Sequence, residues 1–135
     1  MIMKKLLSLI LLLSLALSLC SCGKYISSYS AIGLIRSNDS HSCEASFHKL
    51  NGTLVFKVRK TDAAEGDVSY SIKADEGEIR VFYDIYGEKQ ELAYAKAGEI
   101  LTGRGGYVEA GKVIYIIIEA TDAKGKVTVD VHGGN

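Results

Sequence analysis

Cysteine and histidine, which supply the nucleophile, the base or the metal ligands of many sites, are few in this sequence. There are three cysteines and three histidines, the latter at His41, His48 and His132. Tetrahedral zinc sites need three or four converging ligands, and the spacing of these residues matches no such motif. Cys43 with a histidine is the one pairing that could supply a nucleophile and its base. Because apolar and polar residues alternate around Cys43, we expect a buried thiol, and we predict no catalytic residue and no metal site.

Aromatic and cationic side chains in the second half of the sequence are the candidates for contact with a ligand. Outward tyrosines on a sheet can stack on peptides or sugars, although the chain has no tryptophan. The stretch Gly103 to Gly106 predicts a flexible loop in which Arg104 could bind an anion, and no helix follows it to form a phosphate-binding loop. We therefore predict Tyr86, Tyr107 and Arg104 as ligand-facing residues, and core packing for most other tyrosines.

The N-terminal residues carry the clearest signal in the sequence. Lys4-Lys5 precedes the uncharged, largely apolar run from Leu6 to Leu19, and Cys20 to Cys22 follow directly. A basic start, a short apolar run and a small-residue exit are typical of a secretory signal. The apolar run falls short of the roughly 20 residues that a transmembrane helix needs. Residues 1–21 are therefore predicted to be a cleaved signal peptide.

This segment resembles a bacterial lipoprotein signal peptide. The lipobox of such signals has Leu three residues before the modified cysteine and a small residue directly before it, as Leu19 and Ser21 stand before Cys22. Cys20 is the alternative, with the bulky Leu19 at the cleavage position. The resemblance implies a diacylglycerol and an acyl chain such as palmitate on Cys22, with no other cofactor. Two acyl chains hold a protein stably, which predicts a lipid-anchored protein on the extracytoplasmic side of the cell membrane.

Length and charge limit what the mature chain could be. Residues 22–135 are enough for one domain with an adequate core. Of the 16 basic residues, Lys4 and Lys5 leave with the signal, so 14 face 16 acidic ones and the net charge is about −2. No basic cluster exists, so nucleic acid is not an expected partner.

The mature chain is predicted to begin with a tether. Residues 22–42 hold six serines, and we predict a lipidated N-terminus and a flexible tether over this range. The stretch Ala31 to Ile35 could instead form a short docking strand. The folded domain is predicted over residues 43–135.

From residue 43 onward the hydrophobic pattern has a period of two, which is typical of half-buried strands. Val113 to Ile118 departs from it, being apolar at successive positions, and predicts a central strand covered on both faces. Glycine-containing turn signals separate the runs, and Asn51-Gly52 is the strongest because both residues tolerate the positive φ of a tight hairpin. The other turn signals include Glu76-Gly77, Gly98, Gly105-Gly106 and Gly125.

These patterns predict an all-β fold. We expect an antiparallel β-sandwich, jelly-roll-like, with about seven or eight short strands, preceded by a signal-peptide helix and the tether. The stretches Ser71 to Tyr86, Gly111 to Tyr115 and Gly125 to Val129 are similar to strands of the pre-peptidase C-terminal sandwiches attached to secreted bacterial enzymes, and to small lipoproteins built likewise. That resemblance implies an accessory or binding module.

The predicted function is that of a membrane-anchored lipoprotein whose non-catalytic β-sandwich binds an envelope protein or a cell-wall ligand. Two alternatives remain open. An envelope hydrolase with an unrecognised site would need Cys43 or a histidine in a pocket. A structural or assembly protein of the envelope would need an exposed edge strand that pairs with another chain.

Overall fold

The computed structural model describes residues 25–39, 41–59, 66–84, 87–108 and 113–133. Seven antiparallel strands follow in chain order: β1 (Ser28–Ile32), β2 (Ile35–Asn38), β3 (Ser42–Arg59), β4 (Gly66–Asp84), β5 (Gln90–Lys96), β6 (Ile100–Val108) and β7 (Val113–Gly133). Within these ranges no helix has the length and hydrophobicity needed to cross a membrane. The predicted signal peptide, including Cys20, and the predicted lipid attachment at Cys22 lie outside the described residues.

Three long strands run through both layers of a sandwich. β3, β4 and β7 have 18, 19 and 21 residues, and β7 pairs with β3 on one side and with β4 on the other. The first layer has the order β2-β3-β7-β4-β6 and uses the first halves of β3 and β4 and the second half of β7. The second layer has the order β1-β3-β7-β4-β5 and uses the other halves. The predicted antiparallel β-sandwich is therefore confirmed, with three long strands where short ones were expected.

Each long strand changes register where it passes from one layer to the other. The irregularities lie between Phe47 and Gly52 in β3 and between Ala74 and Glu78 in β4. An irregularity of this kind shifts the two-residue alternation by one position. In β7 the buried alternation is even-numbered from Ile114 to Ala120 and odd-numbered from Ala123 to Val131. Both halves of the strand therefore direct apolar side chains into one shared core.

Three predicted turns are bends inside strands, so the prediction that strands end there is wrong. Asn51-Gly52, Glu76-Gly77 and Gly125 lie within β3, β4 and β7. Gly77 has a φ of 72°, and a Cβ atom there would lie 2.2 Å from the carbonyl oxygen of Thr121 on β7. Positive φ and close backbone approach both require glycine. The same residue type therefore serves a tight turn and a bend at which the backbones of two paired strands approach closely.

The other glycine signals have different outcomes. Gly98 lies in the predicted turn between β5 and β6, where the Glu99 amide donates to the Lys96 carbonyl at 2.9 Å. The prediction of a loop at Gly103 to Gly106 is wrong, because these residues lie within β6. Gly103 lies opposite Tyr70 of β4, whose hydroxyl oxygen would be 2.6 Å from a Cβ atom at position 103. This glycine makes room for a tyrosine.

Reciprocal hydrogen bonds join the bend of β3 to the bend of β7. The Asn51 side-chain amide donates to Asp122 Oδ1 at 3.0 Å, and the Asp122 backbone amide donates to Asn51 Oδ1 at 2.8 Å. Asp122 has a φ of 44°, a positive value that Asp adopts more readily than most residues. The two neighbouring strands therefore bend at the same level.

The predicted central strand is confirmed. Val113 to Ile118 begins β7, which lies between β3 and β4, and Ile116, Ile117 and Ile118 are all buried. This apolar segment is paired on both sides, so it is not an open edge for pairing with another chain.

Part of the predicted tether belongs to the sheet. β1 and β2 lie within residues 22–42, and both pair antiparallel with β3, with Ile32 opposite Lys49 and Ile35 opposite Ser46. The prediction of a flexible tether is therefore wrong for residues 28–38, and the folded domain begins before residue 43. The physical reason is that these backbone groups pair with β3 instead of with water, which a serine-rich composition does not reveal.

Side chains cover the part of the β3 edge that β1 leaves open. Arg36 Nη2 donates to the Val55 carbonyl at 3.1 Å, and Asn38 Nδ2 donates to the Lys57 carbonyl at 3.3 Å. The Val55 amide donates to Ser27 Oγ at 2.8 Å. Arg36 and Asn38 belong to the first layer and their acceptors belong to the second. These bonds therefore close one side of the sandwich.

Candidate functional site

A groove of about 450 Å³ crosses the outer face of the second layer. Its position follows from strand register, which places Glu119 of β7 between Thr53 of β3 and Arg80 of β4. Phe82 lies one outward position further along β4, and Glu78 one position before Arg80. The lining residues are Gly52, Thr53, Glu78, Arg80, Phe82, Glu119, Ala120 and Thr121.

The groove carries charges of both signs. Arg80 and Glu119 are cross-strand partners, and Glu78 is paired with Thr121 in the next row. Lys89, in the connection from β4 to β5, places Nζ 3.5 Å from Glu119 Oε2. Both members of this ion pair are partly exposed, so it adds little to stability. Two carboxylates and two cations balance one another, so the net charge here favours neither an anionic nor a cationic ligand.

Aromatic rings border the groove, and cations lie over them. The Arg80 guanidinium carbon is 4.0 Å from the centre of the Tyr94 ring, and Lys89 Nζ is 4.3 Å from the centre of the Phe82 ring. Each such contact is worth about 0.5–1 kcal/mol at an exposed site. These contacts already restrain the side chains of Arg80 and Lys89. Binding a ligand through them therefore costs the protein less side-chain entropy.

An apolar part of the outer face adjoins the groove next to Phe82. By strand alternation Ile117 points to the outer face of β7, yet it is buried. Register places it between Val55 of β3 and Phe82 of β4. The outer face is therefore covered at this point, and the charged part of the groove adjoins an apolar part.

A buried carboxylate lies further along the same face. Asp84, the last residue of β4, is 2% exposed. Its Oδ1 accepts a hydrogen bond from the Gly87 amide at 2.7 Å, and its Oδ2 accepts one from the Tyr25 hydroxyl. The Tyr25 ring also packs against Tyr115, with ring centres 5.4 Å apart. Asp84 therefore fixes the segment before β1 and the start of the β4–β5 connection to the sheet.

Replacing Asp84 with alanine should lower the free energy of unfolding by about 2–3 kcal/mol, because the partly buried hydrogen bonds from the Gly87 amide and the Tyr25 hydroxyl lose their charged acceptor. Burial, and then the hydrogen bond and charge of Asp84, raise the pKa of Tyr25 to about 12. A pKa higher in the folded state stabilises the fold fully below pH 10, and this contribution is lost as pH rises through about 12. Asp84→Ala should reduce this alkaline dependence by the part that the hydrogen bond and charge of Asp84 contribute.

Urea denaturation at pH 7 and at several values above pH 10 measures both effects. Asp75→Ala is the control, since Asp75 is exposed and its carboxylate is 3.9 Å from Lys73 Nζ in a surface ion pair. It should change stability by less than about 0.5 kcal/mol. Equal losses in the two variants would contradict the anchoring role of Asp84.

The predicted burial of Cys43 is confirmed. The residue is 2% exposed in the core of the first layer. Burial, with a smaller contribution from the charge of Asp130, raises the pKa of the Cys43 thiol to about 12. The thiolate is the nucleophilic form, so this cysteine is inert at neutral pH. A hydrolase built on Cys43 therefore lacks its nucleophile.

Thiol reagents test this directly in a variant whose only thiol is Cys43, with Cys20 and Cys22 replaced by serine. At pH 8 the folded protein should react at least about 100-fold more slowly than the same protein in urea, because so little thiolate is present. A Ser71→Cys version of this variant is the control, because position 71 is exposed on the outer face of β4. Equal rates for folded and unfolded protein would show that Cys43 is accessible.

The histidines form no centre in the described part of the chain. His41 and His48 are exposed, and the side chain of His132 lies outside the described residues. Among the residues that the structure describes, no group of three or more His, Cys, Asp or Glu side chains could hold a metal ion.

Of the three predicted ligand-facing residues, the structure positions one side chain, that of Arg104. It lies on β6 in the first layer, exposed, with Nη1 3.8 Å from Asp67 Oδ2. The groove lies on the other layer, so Arg104 does not contribute to it. Tyr107 is described only by its backbone, as a β6 residue paired with Asp67. Tyr86 lies outside the described residues.

The residues that line the groove were not predicted as a site, although the sequence contains a signal for them. Arg80 and Phe82 occupy outward positions of an alternating strand. Glu119 directly follows Val113 to Ile118, the segment predicted to be covered on both faces. Charged outward residues beside a doubly covered strand would have indicated this face.

No protein-family model and no curated protein matches this sequence. Among solved structures, the chain is similar to carbohydrate-binding modules of family 29. One, a variant in complex with mannohexaose, is 13% identical with a TM-score of 0.42, over 81% of this chain and 94% of that chain. Another, in complex with cellulohexaose, is 13% identical with a TM-score of 0.40, over 78% of this chain and 77% of that chain. TM-scores below 0.5 do not indicate what the chain binds.

Proposed function

We propose that the protein is a membrane-anchored extracytoplasmic lipoprotein whose β-sandwich is a non-catalytic module that binds a neutral carbohydrate of the cell envelope. The observation that supports the binding role is the groove on the outer face of the second layer. There Arg80 and Glu119 lie side by side on the two middle strands, next to Phe82.

The lining of the groove fits a neutral, hydroxyl-rich ligand. A guanidinium donates several hydrogen bonds and a carboxylate accepts several, so Arg80 and Glu119 together can serve neighbouring hydroxyl groups of a sugar. Phe82 adds apolar surface for the C–H groups of a sugar, and Lys89, whose Nζ lies over the Phe82 ring, adds a further hydrogen-bond donor. A charged ligand would meet repulsion from two of the four charged groups, whereas a neutral one would not.

Calorimetric titration with mannohexaose, cellulohexaose and glycan fragments of the cell wall tests the proposal. We expect one of these to bind, and Arg80→Ala to weaken binding at least about tenfold, since hydrogen bonds to charged groups contribute about 1.5–3 kcal/mol. Arg104→Ala is the matched control, because Arg104 is an exposed arginine on the outer face of the other layer. Equal losses in both variants, or no binding to any of the ligands, would contradict the proposal.

The anchor is supported by the basic start, the apolar run and the lipobox pattern that ends at Cys22. Intact mass of the protein extracted from membranes tests it. We expect residues 22–135 with a diacylglycerol and an acyl chain. Cys22→Ser should abolish the modification and Cys20→Ser should not. An unmodified chain that begins at residue 1 would refute the anchor.

A further inference from the structure

Exposed apolar side chains concentrate on one side of the sandwich. Five large hydrophobic side chains in the described residues are exposed, and four of them lie within residues 26–35. Scattered exposed apolar residues are normal, whereas a cluster of them indicates a contact surface. The four are Ile26, Tyr29, Ile32 and Ile35, between 41% and 71% exposed.

These four residues share one edge of the fold. β1 is the edge strand of the second layer and β2 is the edge strand of the first, and both pair with β3. Ile26 directly precedes β1, and Ile32 and Ile35 flank the connection between the two strands. We call this side of the molecule the β1–β2 edge. The fifth exposed residue, Ile100, begins β6 on the opposite side of the first layer.

The chain leading to this edge is short. Tyr25 is fixed to the sheet through its hydroxyl bond to Asp84 and its ring contact with Tyr115. Cys22 precedes Tyr25 by three residues, and three residues span at most about 10 Å. A lipid on Cys22 would therefore hold Tyr25 within about 10 Å of that cysteine, and the β1–β2 edge begins at the next residue, Ile26.

The charge of the edge suits a membrane surface. Residues 25–38 contain no Asp and no Glu. Arg36 lies on β2, and Lys49, whose Nζ is 3.9 Å from Asp122 Oδ1 in an exposed ion pair, lies opposite Ile32 on β3. Cationic residues near the surface are attracted to anionic headgroups, and tyrosine is favoured at the boundary between headgroups and hydrocarbon.

We propose that the β1–β2 edge rests on the lipid surface, with its exposed isoleucines and Tyr29 inserted at the level of the headgroups. The inference rests on the proposed lipid anchor at Cys22. The anchor supplies a high local concentration, so that weak insertion by a few side chains is enough to orient the domain.

Tryptophan fluorescence tests the proposal, because the chain has no tryptophan of its own. Ile32→Trp and Ile100→Trp each introduce a single reporter at an exposed position in the full-length, lipidated protein. Both are reconstituted in vesicles of phosphatidylethanolamine and phosphatidylglycerol, with and without bromine on the acyl chains. We expect Ile32→Trp emission to shift to the blue and to be quenched about twofold by brominated lipid, and Ile100→Trp emission to change in neither way.

The outcomes separate the orientation from the anchor. If the lipidated protein floats with the vesicles and both reporters behave alike, the edge does not rest on the membrane and the inference fails while the anchor stands. If intact mass shows no lipid, the anchor itself fails. If the blue shift of Ile32→Trp appears without vesicles and grows with protein concentration, a second copy covers the edge, and the inference is overturned.

Discussion

We expect Gly77→Ala to lower the free energy of unfolding by about 3 kcal/mol. Gly77 has a φ of 72° at the bend of β4, and a positive φ costs a residue with a Cβ atom about 1–2 kcal/mol. A Cβ atom would also lie 2.2 Å from the Thr121 carbonyl oxygen and 2.3 Å from that of Asp122. Relieving these contacts requires β4 and β7 to move apart, which adds about 1–3 kcal/mol.

Gly98→Ala is the matched control for this prediction. Gly98 has a similar φ of 89°, but a Cβ atom there would meet nothing within 4 Å. Only the conformational cost remains, about 1–2 kcal/mol. Urea denaturation of both variants isolates the steric part as the difference between them. Equal losses of stability in the two variants would show that the backbones of β4 and β7 do not approach closely at Gly77.

We expect Ile118→Ala to lower the free energy of unfolding by about 3–4 kcal/mol, in the range found for removing a large buried aliphatic side chain. Ile118 lies in the middle strand of the second layer, between Leu54 of β3 and Val81 of β4, and all three residues are 0% exposed. Because strands flank it on both sides, the cavity cannot close by the movement of one edge.

Ile100→Ala removes the same atoms from a side chain that is 67% exposed, and it should cost less than about 0.5 kcal/mol. Thermal or urea unfolding of the two variants measures the contrast. A loss of less than about 1.5 kcal/mol for Ile118→Ala, well below the usual range for this substitution, would mean that the site is not in a closely packed core.

The strands were predictable because their signal is local. Alternation in Val127 to Val131 and the unbroken apolar run at Val113 to Ile118 record how each strand is covered. The bends were not predictable from the same pattern. Gly52 and Gly77 lie at positive φ for reasons that depend on which strand passes beside them, namely β1 at Gly52 and β7 at Gly77. Nothing next to these glycines in the sequence distinguishes a bend inside a strand from a hairpin turn between two strands.

The groove also depends on which strands pair, and this is not visible in the local sequence. Arg80 and Glu119 are far apart in the sequence, and only the register of β4 against β7 makes them neighbours. That register shifts at the bends, so the outward positions on one side of a bend do not predict those on the other. Asp84 was missed for a related reason. Its burial depends on Tyr25, a residue of the segment predicted to be a tether.

The central position of β7 has a consequence for when the chain can fold. β3 and β4 do not pair with each other, and β7, the last of the seven described strands, lies between them. A ribosome must therefore release residues 113–133 before either layer acquires its middle strand. Pairing over such long separations is slow, because a large loop must close first. A lipoprotein exported as we propose would thus remain unfolded, and competent for translocation, until β7 has been synthesised.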